Sequence, residues 1–238
     1  MTASILTGRA KVPNLSADME VGSDKWKEVI LSGAGTFDIQ IDSRKMDRFV
    51  AHSLELIRWN KKTNLTAICK PFEIAVKHVL DSIIPSLMIP RDTKTLLDIG
   101  SGAGFPGIPL KILIPSLSVT LIDASRKKVS FLKHVIRSLK LEKIDAVHIR
   151  AEEMAEMAGF ENKFDLIISR ALTSLESFVN MALPLLSENG MIVALKGNVK
   201  DPEIRAARVL LKNHAISINI RQYKLPLLQD NRTIVSVG

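Results

Sequence analysis

The sequence predicts an α/β fold with a mostly parallel seven-stranded sheet, a C-terminal antiparallel hairpin and an N-terminal helical extension. Two observations support this prediction. From residue 93 onward, short apolar segments alternate with amphipathic segments five times, and such alternation is typical of right-handed βαβ crossovers in a parallel sheet. The last two apolar segments are instead separated by a turn around residues 229–231, which indicates a terminal hairpin.

The composition of the chain changes twice along its length. Residues 1–35 are polar, punctuated by Gly and Ser, and weakly periodic, so we expect a partly ordered N-terminal arm. Residues 36–90 are expected to form a helical extension, because apolar residues follow the helical period over 42–60 and Pro71 suits the first turn of a second helix. We expect this second helix to cover residues 71–84 and to stop before Pro85. Residues 91–238 carry the alternating segments and form the main domain.

Each predicted strand of the main domain is an apolar run, and Gly, Pro or Asp residues mark its ends. The predicted strands are Thr95–Ile99, Ser118–Ile122, Ala146–Ile149, Phe164–Ser169, Met191–Leu195, Ile216–Tyr223 and Thr233–Val237. The predicted helices cover residues 106–114, 125–141, 152–157, 175–186 and 202–213. The second of these helices has one apolar face and one basic face, and the last has Pro202 in its first turn.

The overall composition is that of an ordinary globular protein. Hydrophobic residues make up 46% and charged residues 24% of the 238 positions, which excludes disordered and low-complexity proteins. The one cysteine, Cys69, cannot form an internal disulfide, so a disulfide-stapled secreted scaffold is excluded. No apolar run approaches the ~20 residues that span a bilayer, and no signal peptide is evident. We therefore expect a soluble cytoplasmic protein without a membrane partner, and we expect a monomer.

Positive charge is concentrated in two blocks. The net charge is +8 and the pI is about 9.6. Residues 125–150 have a net charge of +6 and residues 196–238 of +5, with an acidic stretch of −5 over 151–195 between them. Clustered Lys and Arg are typical of a polyanion partner, although a solvated helix face would show the same pattern. The candidate phosphate contacts are Arg126, Lys127, Lys128, Lys133, Arg137 and Lys140, and then Lys196, Lys200, Arg205 and Arg208.

A glycine-rich loop, GSGAGFPG over residues 100–107, follows the first predicted strand. Such a loop lets a ligand approach the backbone closely, and part of it matches the G-x-G-x-x-G dinucleotide fingerprint, which alone is a weak signal. Asp98 places a carboxylate just before the loop, and Pro106 removes an N–H group that would bind phosphate. S-adenosylmethionine, which is cationic and carries no phosphate, fits better, with Gly100 and Gly102 against its methionine part.

Polar or charged residues also follow the next strands, at the carboxyl edge of the predicted sheet. Asp123 can accept hydrogen bonds from both ribose hydroxyls, of S-adenosylmethionine and of NAD alike. The backbone at Ala151 and Glu152 can contact the adenine edge, although Glu152 also suits the first turn of a helix. Arg170 and Lys196 end the fourth and fifth strands, where both can line the cleft. A surface ion pair is the alternative for Arg170.

A longer motif narrows these possibilities. The stretch from Asp98 to Pro109 reads DIGSGAGFPGIP, so the glycine loop is followed directly by a P-G-I-P segment. It is accompanied by Trp59-Asn60, Asn64-Leu65-Thr66, His78, Asp81-Ser82, Asp123, Arg126-Lys127-Lys128, Ser169-Arg170-Ala171 and Leu195-Lys196-Gly197. Over roughly residues 42–238, this set resembles the RsmG (GidB) family, bacterial methyltransferases of guanine N7 in 16S ribosomal RNA.

The resemblance implies a Rossmann-like class I methyltransferase domain, S-adenosylmethionine as cofactor, and ribosomal RNA or the small ribosomal subunit as partner. By the same resemblance, cofactor contacts fall on Gly100, Phe105, Ala151, Glu152 and Arg170. The family often has an Arg-His pair at the start of the last strand, where this chain has Arg232-Thr233. The resemblance does not account for the N-terminal arm.

Methyl transfer to guanine N7 needs no general base, because N7 already carries a free lone pair. The enzyme's task is then to position the reactants, so we assign no catalytic base and no metal ion. Arg170 and Lys196 are the candidates that hold the acceptor base, whereas His78 is a substrate contact or a structural histidine. We expect Lys127 and Lys128 to point away from the floor of the cleft. Two alternatives stay open: an NAD-dependent oxidoreductase, and a non-catalytic RNA-binding module.

Overall fold

A computed structural model describes residues 19–170, 174–197, 199, 201–211 and 217–238 of the chain. Its seven-stranded sheet has the order β3-β2-β1-β4-β5-β7-β6. The strands are β1 (Thr95–Ile99), β2 (Ser118–Asp123), β3 (Ile144–His148), β4 (Phe164–Arg170), β5 (Leu186–Lys196), β6 (Ile218–Lys224) and β7 (Asn231–Val237). Strands β1 to β5 pair in parallel, and β7 runs antiparallel to β5 and β6. The predicted fold class is confirmed.

Helices cover both faces of this sheet. They are α1 (Asp24–Gly35), α2 (Ser43–Thr63), α3 (residues 71–88), α4 (Gly107–Leu113), α5 (Arg126–Ser138), α6 (Ala151–Ala155), α7 (Leu175–Ala182) and α8 (Asp201–Leu211). Helices α1 to α5 share one hydrophobic core on one face, and α6 to α8 contribute to the core on the other. The central strands contain runs of buried apolar residues, Leu166–Ile168 in β4 and Ile192–Leu195 in β5, because both faces of the sheet are covered. Among the described residues, no helix combines the length and apolarity needed to cross a membrane.

Helix α3 carries part of the candidate site. It begins at Pro71, as predicted, becomes a π-helix over Ile74–Leu80 and ends as a 3-10 segment over Ile84–Met88. We expected the helix to stop before Pro85. It continues because Pro85 falls in the first turn of the 3-10 segment, where its missing N–H group costs no helical hydrogen bond. Wide π turns occur frequently at functional sites.

Helix α1 lies in the last third of the predicted N-terminal arm, whose first 18 residues are outside the described range. The side chains of Trp26, Val29 and Ile30 are buried, and the Trp26 indole N–H donates to the carbonyl oxygen of Pro71 at 3.0 Å. The helix therefore belongs to the core. The periodic signal of this helix is weak because the helix is short and four of its first five residues are charged.

Replacement of Trp26 by Ala tests the role of α1. The change removes a fully buried indole and should lower the free energy of unfolding by about 3–5 kcal/mol. Urea denaturation measures the effect. Leu31→Ala is the matched control, because Leu31 lies on the same helix but is 47% exposed, and it should change stability by about 0.5 kcal/mol or less. Equal effects of the two changes would contradict the packing of α1 into the core.

Candidate active site

The loop between β1 and α4 is held at the carboxyl edge of the sheet by backbone hydrogen bonds. The N–H groups of Gly100 and Ser101 both donate to the carbonyl oxygen of Ile122 in β2, at 2.9 and 3.0 Å. The N–H group of Gly102 donates to the Asp123 carboxylate at 3.0 Å. The loop and the end of β2 thus form one unit, which brings together three predicted cofactor residues: Gly100, Gly102 and Asp123.

Two glycines of the loop have different roles. Gly102 has a φ of +59°, which L side chains rarely adopt, and the space around its Cα is open apart from Gly100 O at 3.9 Å from a built Cβ. A ligand can therefore approach the backbone here. At Gly107, a Cβ would lie 2.4 Å from a Leu121 methyl and 2.7 Å from the Asp98 carboxylate. That glycine is required for packing of the helix against the sheet.

Asp98 is fully buried beneath the loop. Its Oδ2 accepts a hydrogen bond from the Gly107 N–H at 2.9 Å, whereas its Oδ1 is buried with no hydrogen-bond partner among the described residues. Burial raises the pKa of this carboxyl to about 7, against the opposing effect of the Gly107 hydrogen bond. The buried Oδ1 is an acceptor that a hydrogen-bonding or cationic ligand could satisfy.

Asp123 is also nearly buried, and both of its oxygens are engaged. Besides Gly102, it accepts the N–H of Ser125 at 2.8 Å, and the Lys128 ammonium lies 3.7 Å from its Oδ2. A carboxylate has about four acceptor positions, so room for ribose hydroxyls is left. The expectation that Lys128 points away from the cleft is wrong, because the negative charge of Asp123 draws the ammonium toward it. Lys127 is exposed.

Helix α6 begins just after the carboxyl end of β3, at the same edge of the sheet. Ala151 is buried at the first position of that helix, and Glu152 beside it is exposed. The two residues lie at the same sheet edge as Asp123, since β2 and β3 pair in parallel with Asp123 opposite His148. Their predicted contact with an adenine stays a prediction.

Phe105, the third predicted cofactor residue of the loop after Gly100 and Gly102, has a buried ring. The ring stacks on His78 with centroids 4.4 Å apart and on His52 with centroids 4.6 Å apart. The Arg170 guanidinium lies 5.2 Å from the ring centroid. These contacts occupy the ring, so any cofactor contact at this position falls to its backbone.

The two stacked histidines are neutral. Burial lowers the pKa of His52 to about 4 and that of His78 well below its usual value. His52 Nε2 donates to the carbonyl oxygen of Ala103 at 2.9 Å. His78 Nδ1 accepts from Arg170 at 3.0 Å, since a guanidinium can only donate. His78 is therefore protonated on Nε2, which lies 3.1 Å from Thr66 Oγ1. Its contacts are those of a structural histidine.

Arg170 lines the cleft, as predicted, but it also fixes α3 to the end of β4. Its guanidinium donates to the carbonyl oxygen of Lys77 at 2.8 Å and to His78, and lies 3.8 Å from the Asp81 carboxylate. Asp81 in turn accepts the Tyr223 hydroxyl at 2.7 Å. The side chain is 18% exposed, so part of it still faces the cleft.

Lys196 ends β5 on the other side of the same cleft. Its ammonium pairs with Glu203 of α8, which also accepts the N–H of Leu175. A cleft of about 570 Å³ lies between the ends of β4 and β5, helix α3 and the loop before it. Four cationic side chains and one carboxylate line it: Lys77, Arg170, Lys196, Arg232 and Asp81.

Sequence reasoning missed part of this arrangement. Tyr223 and His52 were not singled out, and Arg232 was noted only as a departure from the family pattern. For His52 a signal existed, since it falls on the buried face of α2 between Phe49 and Leu56, where a polar side chain needs a hydrogen-bond partner. No sequence signal connects Tyr223 to Asp81, because they are 142 residues apart.

Comparison with known protein families decides between a methyltransferase, an NAD-dependent oxidoreductase and a non-catalytic RNA-binding module. The family model described as GidB, rRNA small subunit methyltransferase G, matches residues 43–234. The chain belongs to the GidB family. Similar proteins include the ribosomal RNA small subunit methyltransferase G of Geotalea uraniireducens, 40% identical over 88% of this chain and 94% of the relative. That of Lactobacillus johnsonii is 34% identical over 88% and 90%.

Solved structures similar to this GidB-family chain share its fold. A caffeoyl-CoA O-methyltransferase homologue from Staphylococcus aureus superposes with a TM-score of 0.56 at 14% identity, covering 89% of this chain and 99% of that one. A SAM-dependent methyltransferase from Aquifex aeolicus gives a TM-score of 0.50 at 16% identity, covering 66% and 88%. The architecture is therefore that of the SAM-dependent methyltransferases.

Because burial lowers the pKa of His52, we expect the protein to lose stability in acid. Between pH 6.5, the usual pKa of an unfolded histidine, and pH 4, the unfolded chain binds a proton at His52 that the folded chain does not. Stability should therefore fall with falling pH, by about 3 kcal/mol from this group. His52→Gln keeps an N–H donor for Ala103 without titrating, so it should lose less stability between pH 7 and 4.5.

Chemical denaturation at several pH values measures this difference between the variant and the wild type. The pKa of Asp98 is raised to about 7, so this group stabilises the folded protein as the pH falls, which is opposite to the effect of His52. Asp98 is present in both proteins, and its contribution therefore cancels in the comparison. His148→Gln replaces an exposed histidine and is the matched control. If His52→Gln and the wild type had parallel pH profiles, the burial of a neutral imidazole would be contradicted.

Proposed function

We propose that this GidB-family chain transfers a methyl group from S-adenosylmethionine to N7 of a guanine in small-subunit ribosomal RNA, as a monomer in the cytoplasm. The observation that carries the proposal is the position of an open glycine loop directly beside a cationic cleft. Phe105 of the loop contacts His78 and Arg170, both of which line the cleft. A donor bound at the loop and an acceptor bound in the cleft would therefore be neighbours.

The residues of the loop fit S-adenosylmethionine. The unpartnered Oδ1 of Asp98, the open backbone at Gly102 and the carboxylate of Asp123 form an acidic site. Pro106, at the N-cap of α4, has no N–H group to offer a phosphate. These features favour a cationic, phosphate-free ligand over the pyrophosphate of NAD. When bound, S-adenosylmethionine supplies a methyl group on a sulfonium, which a lone pair can attack.

The cleft suits a guanine. Guanine presents two acceptors, N7 and O6, on one edge, and Arg or Lys side chains are the commonest protein donors to them. Arg170 and Lys196 face the cleft from two adjacent strand ends. Because Lys77, His78 and Asp81 hold the Arg170 guanidinium in place, its remaining N–H groups have a fixed direction. We assign these two residues the task of holding the base through O6, which leaves the lone pair of N7 free.

The transfer step needs no proton acceptor. Guanine N7 carries a free lone pair and no proton, so no side chain of the protein would have to remove a proton for N7 to accept the methyl group that bound S-adenosylmethionine would supply. The neutral His78, already bonded through both ring nitrogens, is not required as a base. The chain's contribution is to bring donor and acceptor to ~3–3.5 Å in line.

The basic helix α5 is suited to hold the RNA backbone. Arg126, Lys133 and Arg137 are exposed and are spaced by seven and four residues, so they lie along one side of the helix. Lys140 follows in the next turn. We call Arg126, Lys133, Arg137 and Lys140 the α5 stripe. Lys128 is left out of this set because it pairs with Asp123.

The second basic block lies on the other side of the sheet. Arg205 and Arg208 are exposed on α8, which packs against the face opposite α5. Lys200 lies outside the described residues. Lys196 is paired with Glu203 and lines the cleft. The two blocks therefore flank the carboxyl edge from opposite faces. A module that only bound RNA would have no use for the open loop at Gly102, which favours an enzyme.

The cofactor proposal predicts the effect of Asp123→Asn. The change keeps the side-chain shape but removes the charge that faces the loop, and should weaken S-adenosylmethionine binding about 10- to 100-fold, as expected for charged hydrogen bonds. Isothermal calorimetry measures the affinity. Asp145→Asn, at an exposed position of β3, is the control and should bind as the wild type does. Unchanged affinity of Asp123→Asn would remove Asp123 from the site.

The acceptor proposal predicts the behaviour of RNA that contains 7-deazaguanosine. Replacement of N7 by a C–H group removes the attacking lone pair, so transfer of a labelled methyl group should be abolished. Small-subunit ribosomal RNA transcripts with 7-deazaadenosine are the matched control and should be methylated like unmodified transcripts. Continued methyl transfer to the 7-deazaguanosine transcript would show that another atom is the acceptor.

A further inference from the structure

A basic cleft of about 410 Å³ lies at the amino edge of the sheet, opposite the candidate active site. It is formed by the start of α2, the end of α4 and the turn after α5. Five cationic side chains line it: Arg44, Lys45, Arg48, Lys111 and Lys140. Two acidic side chains, Asp42 and Glu142, also belong to its lining. The methyl-transfer mechanism uses none of the residues that α2 and α4 contribute here.

The acidic residues do not neutralise this cleft. Asp42 caps α2 by accepting the N–H of Lys45 at 2.8 Å, and its other oxygen lies 3.9 Å from the Lys45 ammonium. Within the part of the chain that the structure describes, Arg44, Arg48 and Lys111 make no ion pair with a carboxylate. An excess of positive charge is therefore left facing the open space of the cleft.

Lys111 is the most unusual of these residues because it is only 4% exposed. Its ammonium donates to two backbone carbonyl oxygens, those of Pro115 at 2.7 Å and Leu117. Burial lowers its pKa, and Lys143 and Arg48 lower it further, against the opposing charge of Glu142. The carbonyl groups fix the position of this cation without neutralising it, so an anion in the cleft would be stabilised by it.

The cleft is continuous with the α5 stripe. That stripe starts at Arg126, at the carboxyl edge next to the candidate active site, and ends at Lys140, which lines the cleft. At a rise of 1.5 Å per residue, the 12 steps from Arg126 to Ser138, where α5 ends, correspond to roughly 18 Å, and Lys140 follows in the turn after the helix. A nucleic-acid strand that follows α5 would thus pass from one edge of the sheet to the other and arrive at the cleft.

We infer that the cleft formed by Arg44, Arg48, Lys111 and Lys140 binds a backbone phosphate of the ribosomal RNA substrate at a distance from the methylated guanine. The inference rests on the proposed function and extends it with a second anchor. An inorganic phosphate ion offers the same chemistry as an RNA phosphodiester. The continuity of the cleft with the α5 stripe favours the phosphodiester.

The experiment compares RNA binding by two double variants of equal charge. The variant R44Q/K140N removes two exposed cations from the cleft, and Asn at position 140 suits its φ of +49°. The control K25Q/K224Q removes two exposed cations from α1 and β6. Fluorescence anisotropy measures affinity for small-subunit ribosomal RNA fragments of increasing length around the methylated site, at several salt concentrations. Thermal melting verifies that each variant is folded.

We expect R44Q/K140N to bind long fragments about 5- to 20-fold more weakly than the control, with a salt slope flatter by about one to two units. Short fragments that do not reach the cleft should show a much smaller loss. Lys111→Met tests the buried cation in the same assay. Equal binding of long fragments by R44Q/K140N and the control would overturn the inference.

A second titration tells whether the cleft binds a phosphodiester of the RNA or free inorganic phosphate. Inorganic phosphate is titrated into the wild type and into R44Q/K140N, with chemical shifts of the cleft residues as the readout. If the cleft binds inorganic phosphate but its mutation leaves RNA affinity unchanged, the RNA inference is wrong. If instead the wild type neither binds the RNA nor methylates it, the proposed function itself fails, which is a different result from selective loss in the variant.

Discussion

The buried carboxylate of Asp81 holds the candidate site together. It accepts the Tyr223 hydroxyl at 2.7 Å and lies 3.3 Å from the Arg232 guanidinium and 3.8 Å from that of Arg170. A buried charge is costly unless partners compensate it, so each of these groups is held by the others. Helix α3, strand β4 and the terminal hairpin meet at this one point, and the cleft beside it takes its shape from their positions.

The glycine loop is also held by the N-terminal helical extension, to which α2 and α3 belong, through a different contact. The Phe105 ring lies between His52 of α2 and His78 of α3, and two neutral imidazoles can stack there without burying a charge. Because His78 also bonds Arg170, the loop, the extension and the end of β4 are coupled. Donor and acceptor sites are thus positioned by one shared set of side chains.

The sequence was sufficient for features that depend on local pattern. Strand β1 follows from an apolar run with a glycine loop behind it, and Asp123 was located because parallel strands bring their carboxyl ends to one edge. The orientation of Lys128 was mispredicted, since helical periodicity says nothing of a nearby carboxylate. The contact of Tyr223 with Asp81 depends on the register of the terminal hairpin, which no local pattern determines. The buried face of α1 was missed because the helix is short and four of its first five residues are charged.

The hydrophobic core on the α5 face of the sheet has a consequence for the modularity of the protein. It runs without interruption from Trp26 in α1, through Phe49 and Leu80, to Leu121 and Leu132 around β2 and α5. A chain that began at residue 91 would keep α4 and α5 on this face but lose α1, α2 and α3, and the apolar surface that these three helices cover would be exposed to water. The catalytic half therefore cannot be transplanted alone: recombination that moves it between proteins has to carry the N-terminal helices with it.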